Sequence, residues 1–173
     1  MTLVLGIDEA GKGPVIGSLF IAGALIEEGK IDRLKEIGAK DSKLLTHKKR
    51  VELAKKIKKI AKNFIVIEAT PAEIDEAVDG NNSLNLNWFE AHHIADIINK
   101  FNPDKAIIDC PSPNIEKFKG FVKKLLKNKD VESYFTMLRQ PELWKKGSYE
   151  PYPEQFDTRA AAPSAGEIGR AHV

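Results

Sequence analysis

Apolar residues in this chain follow two patterns that take turns along the sequence. One is a short continuous run, and the other is a stripe with helical spacing. The continuous runs, rich in β-favouring residues, predict strands over residues 2–8, 15–26, 64–67 and 105–109, with one more strand proposed over 131–138. Apolar residues three and four positions apart predict helices over residues 30–37, 46–62, 84–101 and 114–127, with a short helix opened by Pro71. Strands interleaved with helices predict an α/β domain whose mixed β-sheet is flanked by helices.

Polar and conformationally special residues mark the ends of these elements. Thr46 and Asn114 are N-cap candidates for two of the helices, because their side-chain oxygens can accept a first-turn N–H. Gly38 is expected to end the helix at 30–37, and a turn is predicted at residues 80–82. Trp88 and Phe89 are predicted to pack in the core.

Composition predicts a globular protein of one domain. The chain has 173 residues, 42% hydrophobic and 30% charged, which is enough to bury a core. The single cysteine, Cys110, excludes an internal disulfide framework and indicates a reducing compartment. The first apolar run is too short for a signal peptide and leads straight into Asp8, and the longest, residues 14–26, is interrupted by Gly17, Ser18 and Gly23. We therefore expect a cytoplasmic chain without a membrane partner. Cys110 is predicted to be a buried thiol at a strand end rather than a nucleophile.

The net charge of +2 hides two strongly basic segments. Residues 40–62 carry ten basic and two acidic side chains, and residues 114–129 carry six lysines and one glutamate. Such segments attract polyanions, and phosphate contacts dominate affinity for nucleic acids. Solvated lysine-rich helix faces give the same pattern, so charge alone leaves both interpretations open.

The most informative segment is residues 6–14, in which Asp8 and Glu9 end an apolar run and a Gly-Lys-Gly-Pro turn follows. Neighbouring side chains of a strand point to opposite faces, so the strand must end or bend here if both carboxylates serve one site. Hard divalent ions take one or two carboxylates together with substrate phosphate. The segment therefore predicts phosphodiester chemistry, and the alternative is an ordinary surface turn.

His92 and His93 are adjacent within a predicted helix and are not expected to share a metal.

Three motifs occur in order: Asp8 to Pro14, then Asp41-Ser42-Lys43, then Ile108-Asp109 closing a strand. In this order the chain resembles ribonuclease HII, particularly the archaeal type, from about residue 3 to residue 132. The resemblance implies a ribonuclease H-like fold. It also implies that two ions, Mg²⁺ or Mn²⁺, are held by four acidic residues, of which this chain supplies the catalytic ligands Asp8, Glu9 and Asp109.

The same resemblance assigns substrate contacts. Gly11, Lys12 and Gly13 match the segment that reads the 2′-hydroxyl at an RNA–DNA junction. Ser42 and Lys43 match a phosphate-contacting motif, and Asn85 matches an asparagine that contacts the nucleic-acid backbone. The implied activity is endonucleolytic cleavage of RNA in RNA–DNA hybrids and at ribonucleotides embedded in DNA, leaving 5′-phosphate and 3′-hydroxyl ends. The expected partner is the RNA–DNA hybrid duplex, bound by a monomer.

The chain departs from the family pattern in its last quarter. No acidic residue stands where the fourth carboxylate is expected, because residues 133–140 read Ser-Tyr-Phe-Thr-Met-Leu-Arg-Gln. We therefore expect an incomplete catalytic domain over residues 1–132 and a disordered or chimeric tail over 133–173. Two alternatives to the enzyme follow: a hybrid-binding fragment with weak or no catalysis, and a basic RNA-binding module that uses neither Asp8 nor a metal.

Overall fold

The structure is a computed structural model that describes residues 1–12, 17–79 and 85–136. The described strands are β1 (Leu3–Ala10), β2 (Leu19–Glu27), β3 (Asn63–Ala69), β4 (Lys105–Asp109) and β5 (Glu132–Thr136). The described helices are α1 (Ile31–Glu36), α2 (His47–Ile60), α3 (Pro71–Asp79), α4 (Leu86–Phe101) and α5 (Ile115–Leu125).

The five strands form one mixed sheet in the order β3-β2-β1-β4-β5. The sequential strands β1, β2 and β3 pair antiparallel, as short connections allow. Strands β1, β4 and β5 pair parallel, because helices intervene between them in the sequence. This arrangement confirms the predicted α/β class and puts the N-terminal strand in the middle of the sheet.

Helices cover both faces of the sheet. On one face, α4 and α5 bury the apolar side chains of alternate residues of β1, β2 and β4, among them Leu5, Ile7 and Ile108. On the other face, α1 and α2 pack on β2 through a smaller cluster of Ile26, Leu34 and Ile57. No helix within the described residues is long and apolar enough to cross a bilayer.

The predicted helix caps are confirmed. The Thr46 hydroxyl accepts the backbone N–H of Lys49 at 3.3 Å at the start of α2. The Asn114 side chain accepts the N–H of Lys117 at 3.0 Å at the start of α5. Helix α1 ends at Glu36, two residues before Gly38. The Thr46 and Asn114 side chains thus satisfy first-turn N–H groups that have no partner within their own helix.

Several predicted element boundaries differ from the observed ones. Strand β1 continues two residues beyond Asp8, because Ala10 still pairs with Phe20 of β2. The strand proposed over 131–138 is observed as β5, which pairs with β4 as far as Thr136. Helix α4 begins at Leu86 rather than residue 84. The predicted turn at 80–82, the start of the strand expected at 15–26 and the remainder of the tail, 137–173, lie outside the described residues.

The close approach of α4 to the sheet depends on Gly23 of β2. A Cβ atom at this position would lie 2.6 Å from the Ile97 Cγ2 atom and 3.3 Å from a Leu5 methyl group. Both partners are core side chains of the α4 face, and Ile97 is fully buried. The helix can therefore rest directly on the strand only because residue 23 has no side chain.

We predict that Gly23→Ala lowers the free energy of unfolding by about 1–3 kcal/mol, the usual cost of overpacking a core. The matched control is Gly120→Ala in α5, where an added Cβ meets no atom within 4 Å. That variant should be more stable by about 1 kcal/mol, because alanine is the better helix former. Urea unfolding of both variants measures the difference, and a loss of stability in Gly120→Ala or none in Gly23→Ala would contradict this account of the packing.

Candidate active site

Two carboxylates meet where the parallel strands β1 and β4 end. Ile7 pairs with Ile108, so the next step of the same register brings Asp8 beside Asp109. Neighbouring strands lie about 4.8 Å apart, and residues at the same register position point to the same face. Because Ile7 and Ile108 pack under α4 and α5, Asp8 and Asp109 point to the opposite face. Asp109 is 5% exposed.

Glu9 lies on the other side of the sheet from Asp8. The strand does not end at these residues, because Glu9 still pairs with the core residue Ile21 of β2. Glu9 is, however, the first residue of β1 that extends past the end of β4 at Asp109. Its side chain therefore stands at the same strand end as the aspartate pair, on the opposite face of the sheet.

The aspartate pair provides oxygen ligands of the kind that Mg²⁺ and Mn²⁺ prefer. Among residues 1–12, 17–79 and 85–136, no three or more His, Cys, Asp or Glu side chains are grouped closely enough to hold a metal ion. The structure thus brings Asp8 and Asp109 together but does not add Glu9 to them as a third ligand. Two carboxylates fit a hard ion that takes its remaining ligands from water and phosphate.

The turn after β1 is shaped by Gly11. Its φ of +92° is a conformation that side chains rarely adopt, and an added Cβ would lie 2.4 Å from the Ser18 carbonyl oxygen. Both the positive φ and the nearby carbonyl oxygen therefore require glycine at position 11. Gly11 is exposed, so a ligand can approach its backbone. Gly13 lies outside the described residues.

Lys12 reaches across to the first turns of α4. Its Nζ atom lies 2.7 Å from Glu90 Oε2 and 3.0 Å from Asn87 Oδ1. The Lys12 side chain is 19% exposed, whereas that of Glu90 is only 1% exposed. The ion pair between Lys12 and this buried carboxylate is a strong local contact, because each charge replaces the hydration that the other has lost.

Cys110 follows β4 and is buried, as predicted. Burial raises the pKa of its thiol to about 11, and the negative charges of Asp109 and Glu9 act in the same direction. The thiol therefore stays protonated at neutral pH, where a nucleophilic role would need the thiolate.

Ser42 and Lys43 lie in a 3-10 turn at Ser42–Leu44. Asp41 caps this turn by accepting the Lys43 N–H at 3.0 Å, and the Arg50 guanidinium of α2 donates to the Ser42 carbonyl at 3.3 Å. The Lys43 side chain is exposed. The turn is thus fixed to α2 while its lysine faces solvent.

Asn85 has a structural role that the motif did not indicate. Its side-chain oxygen accepts the Trp88 N–H at 3.1 Å and so caps α4. The residue is exposed, but its Oδ1 atom already serves the helix. Any contact of Asn85 with nucleic acid would have to use the remaining amide group.

The aromatic residues of α4 pack against α5 and the core. The Trp88 ring stacks on Phe118 with the ring centroids 6.2 Å apart, and it lies tilted against Phe121 at 4.7 Å, which confirms its core role. His92 contacts the Phe121 ring, whereas His93 contacts the Phe89 ring. The two histidines therefore lie against different neighbours, and burial lowers the pKa of His93.

The two basic helices lie on opposite faces of the sheet. Helix α2 packs with α1 over β2, and α5 packs with α4 on the other face. In α2, Glu52 forms ion pairs with Lys49 and Lys56 and so neutralises part of the basic surface. The basic charge of the chain is therefore divided between two surfaces.

Sequence reasoning missed Glu90 and Asn87. Glu90 lies one turn before Ile94 on the apolar stripe of α4, where a charged residue requires a partner. A charged residue on this apolar stripe was the signal in the sequence that Glu90 has a buried partner. Its partner, however, lies 78 residues away in the sequence, and helical periodicity does not indicate such a distant contact.

Comparisons with known proteins agree with the motifs. Residues 5–137 match the family model of ribonuclease HII. Ribonuclease HII of Thermococcus sibiricus is 41% identical over 123 residues, which are 70% of this chain and 53% of that relative. The chain thus spans about half the length of the curated relatives it matches.

Solved structures show the same relationship. The crystal structure of ribonuclease H2 from Pyrococcus horikoshii superposes with a TM-score of 0.75 at 30% identity, covering 99% of this chain and 72% of that chain. Ribonuclease HII in the PCNA complex from Archaeoglobus fulgidus gives a TM-score of 0.74 at 28% identity, covering 98% and 70%. With its ribonuclease H-like sheet, its ordered motifs and these matches, the chain belongs to the ribonuclease HII family.

Proposed function

We propose that this chain is the catalytic part of an endonuclease that cuts RNA in RNA–DNA hybrids and at ribonucleotides embedded in DNA. The observation that carries the proposal is the placement of Asp8 beside Asp109 at the ends of two parallel strands, in a member of the ribonuclease HII family. Sites in α/β sheets collect at this end of the strands. Glu9, at the same strand end, is the third proposed catalytic carboxylate.

Asp8 and Asp109 are the proposed ligands of Mg²⁺ or Mn²⁺, and Glu9 is the proposed ligand of a second ion. The bound metal would supply charge stabilisation for the phosphodiester and a more acidic water. The role of the chain is to hold the carboxylates on a rigid sheet, so that the scissile phosphate binds at a fixed distance from them. Because Asp109 is almost fully buried, it has little freedom to move away from this position.

Recognition of ribose is assigned to the turn after β1. The 2′-hydroxyl distinguishes RNA from DNA, and a turn without a side chain at Gly11 lets its backbone approach the sugar. Gly13 is proposed to act with it. Ser42 and Lys43, fixed on α2 by Arg50, are placed to contact a phosphate, and Asn85 would contact the backbone through its amide NH₂ group.

A second candidate function is hybrid binding with weak or absent catalysis. It is favoured by the sequence of residues 133–140, which has no acidic residue where the family pattern has its fourth carboxylate. Under either function, the proposed partner is the hybrid duplex, bound by a monomer in the cytoplasm. A basic RNA-binding module that needs no metal remains a third alternative.

We predict that Asp8→Asn and Asp109→Asn each lower Mn²⁺-dependent cleavage of a duplex carrying one ribonucleotide by roughly 10³-fold. Loss of a ligand removes several kcal/mol of transition-state stabilisation, and each 1.36 kcal/mol is a factor of ten. Calorimetric titration with Mn²⁺ should show weaker binding in the same variants. The control is Asp32→Asn, which removes a carboxylate that is 86% exposed on α1 and should change neither quantity.

The alternatives give different results in the same experiment. Tight binding of the duplex by the wild-type chain, with no cleavage in Mn²⁺, would favour the hybrid-binding fragment. Undiminished function in Asp8→Asn, or in EDTA, would refute the metal-dependent proposals and support the RNA-binding module. Loss of cleavage in both aspartate variants, with duplex binding retained in EDTA, would support the enzyme.

We predict that Lys43→Ala weakens binding to ribonucleotide-containing and all-DNA duplexes by the same factor, since a phosphate contact carries no sequence or sugar information. The slope of log affinity against log salt should become less steep by about 0.9, the value of one phosphate contact. Fluorescence anisotropy at several salt concentrations measures both effects. Lys100→Ala, an exposed lysine in the last turn of α4, is the control, and an equal change in its slope would contradict a specific role for Lys43.

A further inference from the structure

The turn that carries Gly11 and Lys12 is held to the protein at two points. At Lys12, the ammonium group lies within hydrogen-bond distance of Glu90 and Asn87 of α4. At Gly11, the backbone passes so close to the Ser18 carbonyl that no Cβ would fit. The Ser18 hydroxyl in turn donates to Glu68 of β3 at 2.7 Å. The turn is therefore anchored both to a helix and to the sheet.

The Glu90 contact is the stronger of the two anchors. Glu90 is 1% exposed and lies next to the fully buried Ala91 and one turn before Ile94. A carboxylate in such surroundings is stable as a charge only when a cation accompanies it. Lys12 supplies that cation at 2.7 Å. Displacing Lys12 toward a substrate phosphate would separate it from this buried charge, which makes the displacement unfavourable.

We propose that Glu90, together with Asn87, is a positioning residue that fixes the Gly11–Lys12 turn for recognition of the 2′-hydroxyl. The inference rests on the proposed function, because it concerns how the same turn distinguishes RNA from DNA. The charge of Lys12 is directed into the protein toward α4, and the backbone of the turn is the part presented to the sugar. Lys12 thus acts as an anchor rather than as a point charge for phosphate.

The first test is the preference of the chain for a ribonucleotide in a duplex. Fluorescence anisotropy in EDTA compares the affinity for a duplex with one ribonucleotide against the affinity for the same duplex in all-DNA form. Glu90→Gln should reduce this preference by roughly tenfold, the value of one hydrogen bond to the sugar, and leave affinity for the all-DNA duplex unchanged. Asp96→Asn removes an exposed carboxylate from the same helix and should leave the preference intact.

Substitutions of Lys12 separate anchoring from phosphate binding. Lys12→Met should lose the preference for the ribonucleotide-containing duplex, as Glu90→Gln does, and should keep its affinity for the all-DNA duplex. Lys12→Arg should keep it, because a guanidinium can donate to both Glu90 and Asn87. Equal weakening of both duplexes in Lys12→Met would show that the lysine contacts phosphate and would overturn the proposal.

Melting temperatures test the same contact without nucleic acid. Lys12→Met leaves the buried Glu90 charge without its cation, so it should melt at a lower temperature than the double variant Lys12→Met/Glu90→Gln. A double variant that is no more stable than Lys12→Met would overturn the anchor. This comparison depends on neither the metal nor the substrate.

The outcomes also separate the inference from the proposed function. If the wild-type chain shows the preference and Glu90→Gln keeps it, the positioning role fails and the proposed function stands. If the wild-type chain binds both duplexes equally, recognition of ribose fails as part of the proposed function, and the positioning role fails with it.

Discussion

The parallel pairing of β1 with β4 is the contact on which the site depends. A slip of one residue would turn Asp109 to the other face and separate it from Asp8. Asp104 fixes the register at the opposite end of the strands. Its carboxylate accepts the Leu3 N–H at 2.7 Å, its own N–H donates to the Leu3 carbonyl at 3.1 Å, and its carbonyl accepts the Glu132 N–H at 3.0 Å. One residue thus aligns three strands, and the aspartate pair lies at the far end of that alignment.

The end of β1 presents side chains to both faces of the sheet because the strand continues through Ala10, paired with β2. Asp8 faces the side of α1 and α2, whereas the turn after Ala10 returns toward α4 through Lys12. The proposed chemistry and the proposed ribose recognition therefore share one strand, with the aspartate pair on one face and the Lys12 contact to α4 on the other.

Most elements of the fold follow from local sequence signals, whereas the contacts between distant residues do not. The strand and helix patterns, and caps such as Thr46 and Asn114, depend on side chains within four residues of one another. The extension of β1 to Ala10 required the pairing partner Phe20, and the role of Lys12 required Glu90. The β1–β4 register places Asp8 beside Asp109, two residues that the motifs singled out, whereas the motifs did not indicate that the Asn85 oxygen caps α4.

The central position of β1 also has a consequence for how the chain folds during its synthesis. The β1–β2 hairpin is complete after about residue 27, but the other edge of β1 has no partner until β4 has been made. At roughly 5–20 residues per second, the ribosome needs about 4–16 s to add the intervening segment. During that interval an apolar strand edge is exposed, and exposed edges are where chains pair wrongly with one another. The feature that unites the two aspartates thus makes the nascent N-terminal hairpin the part of this chain most in need of protection.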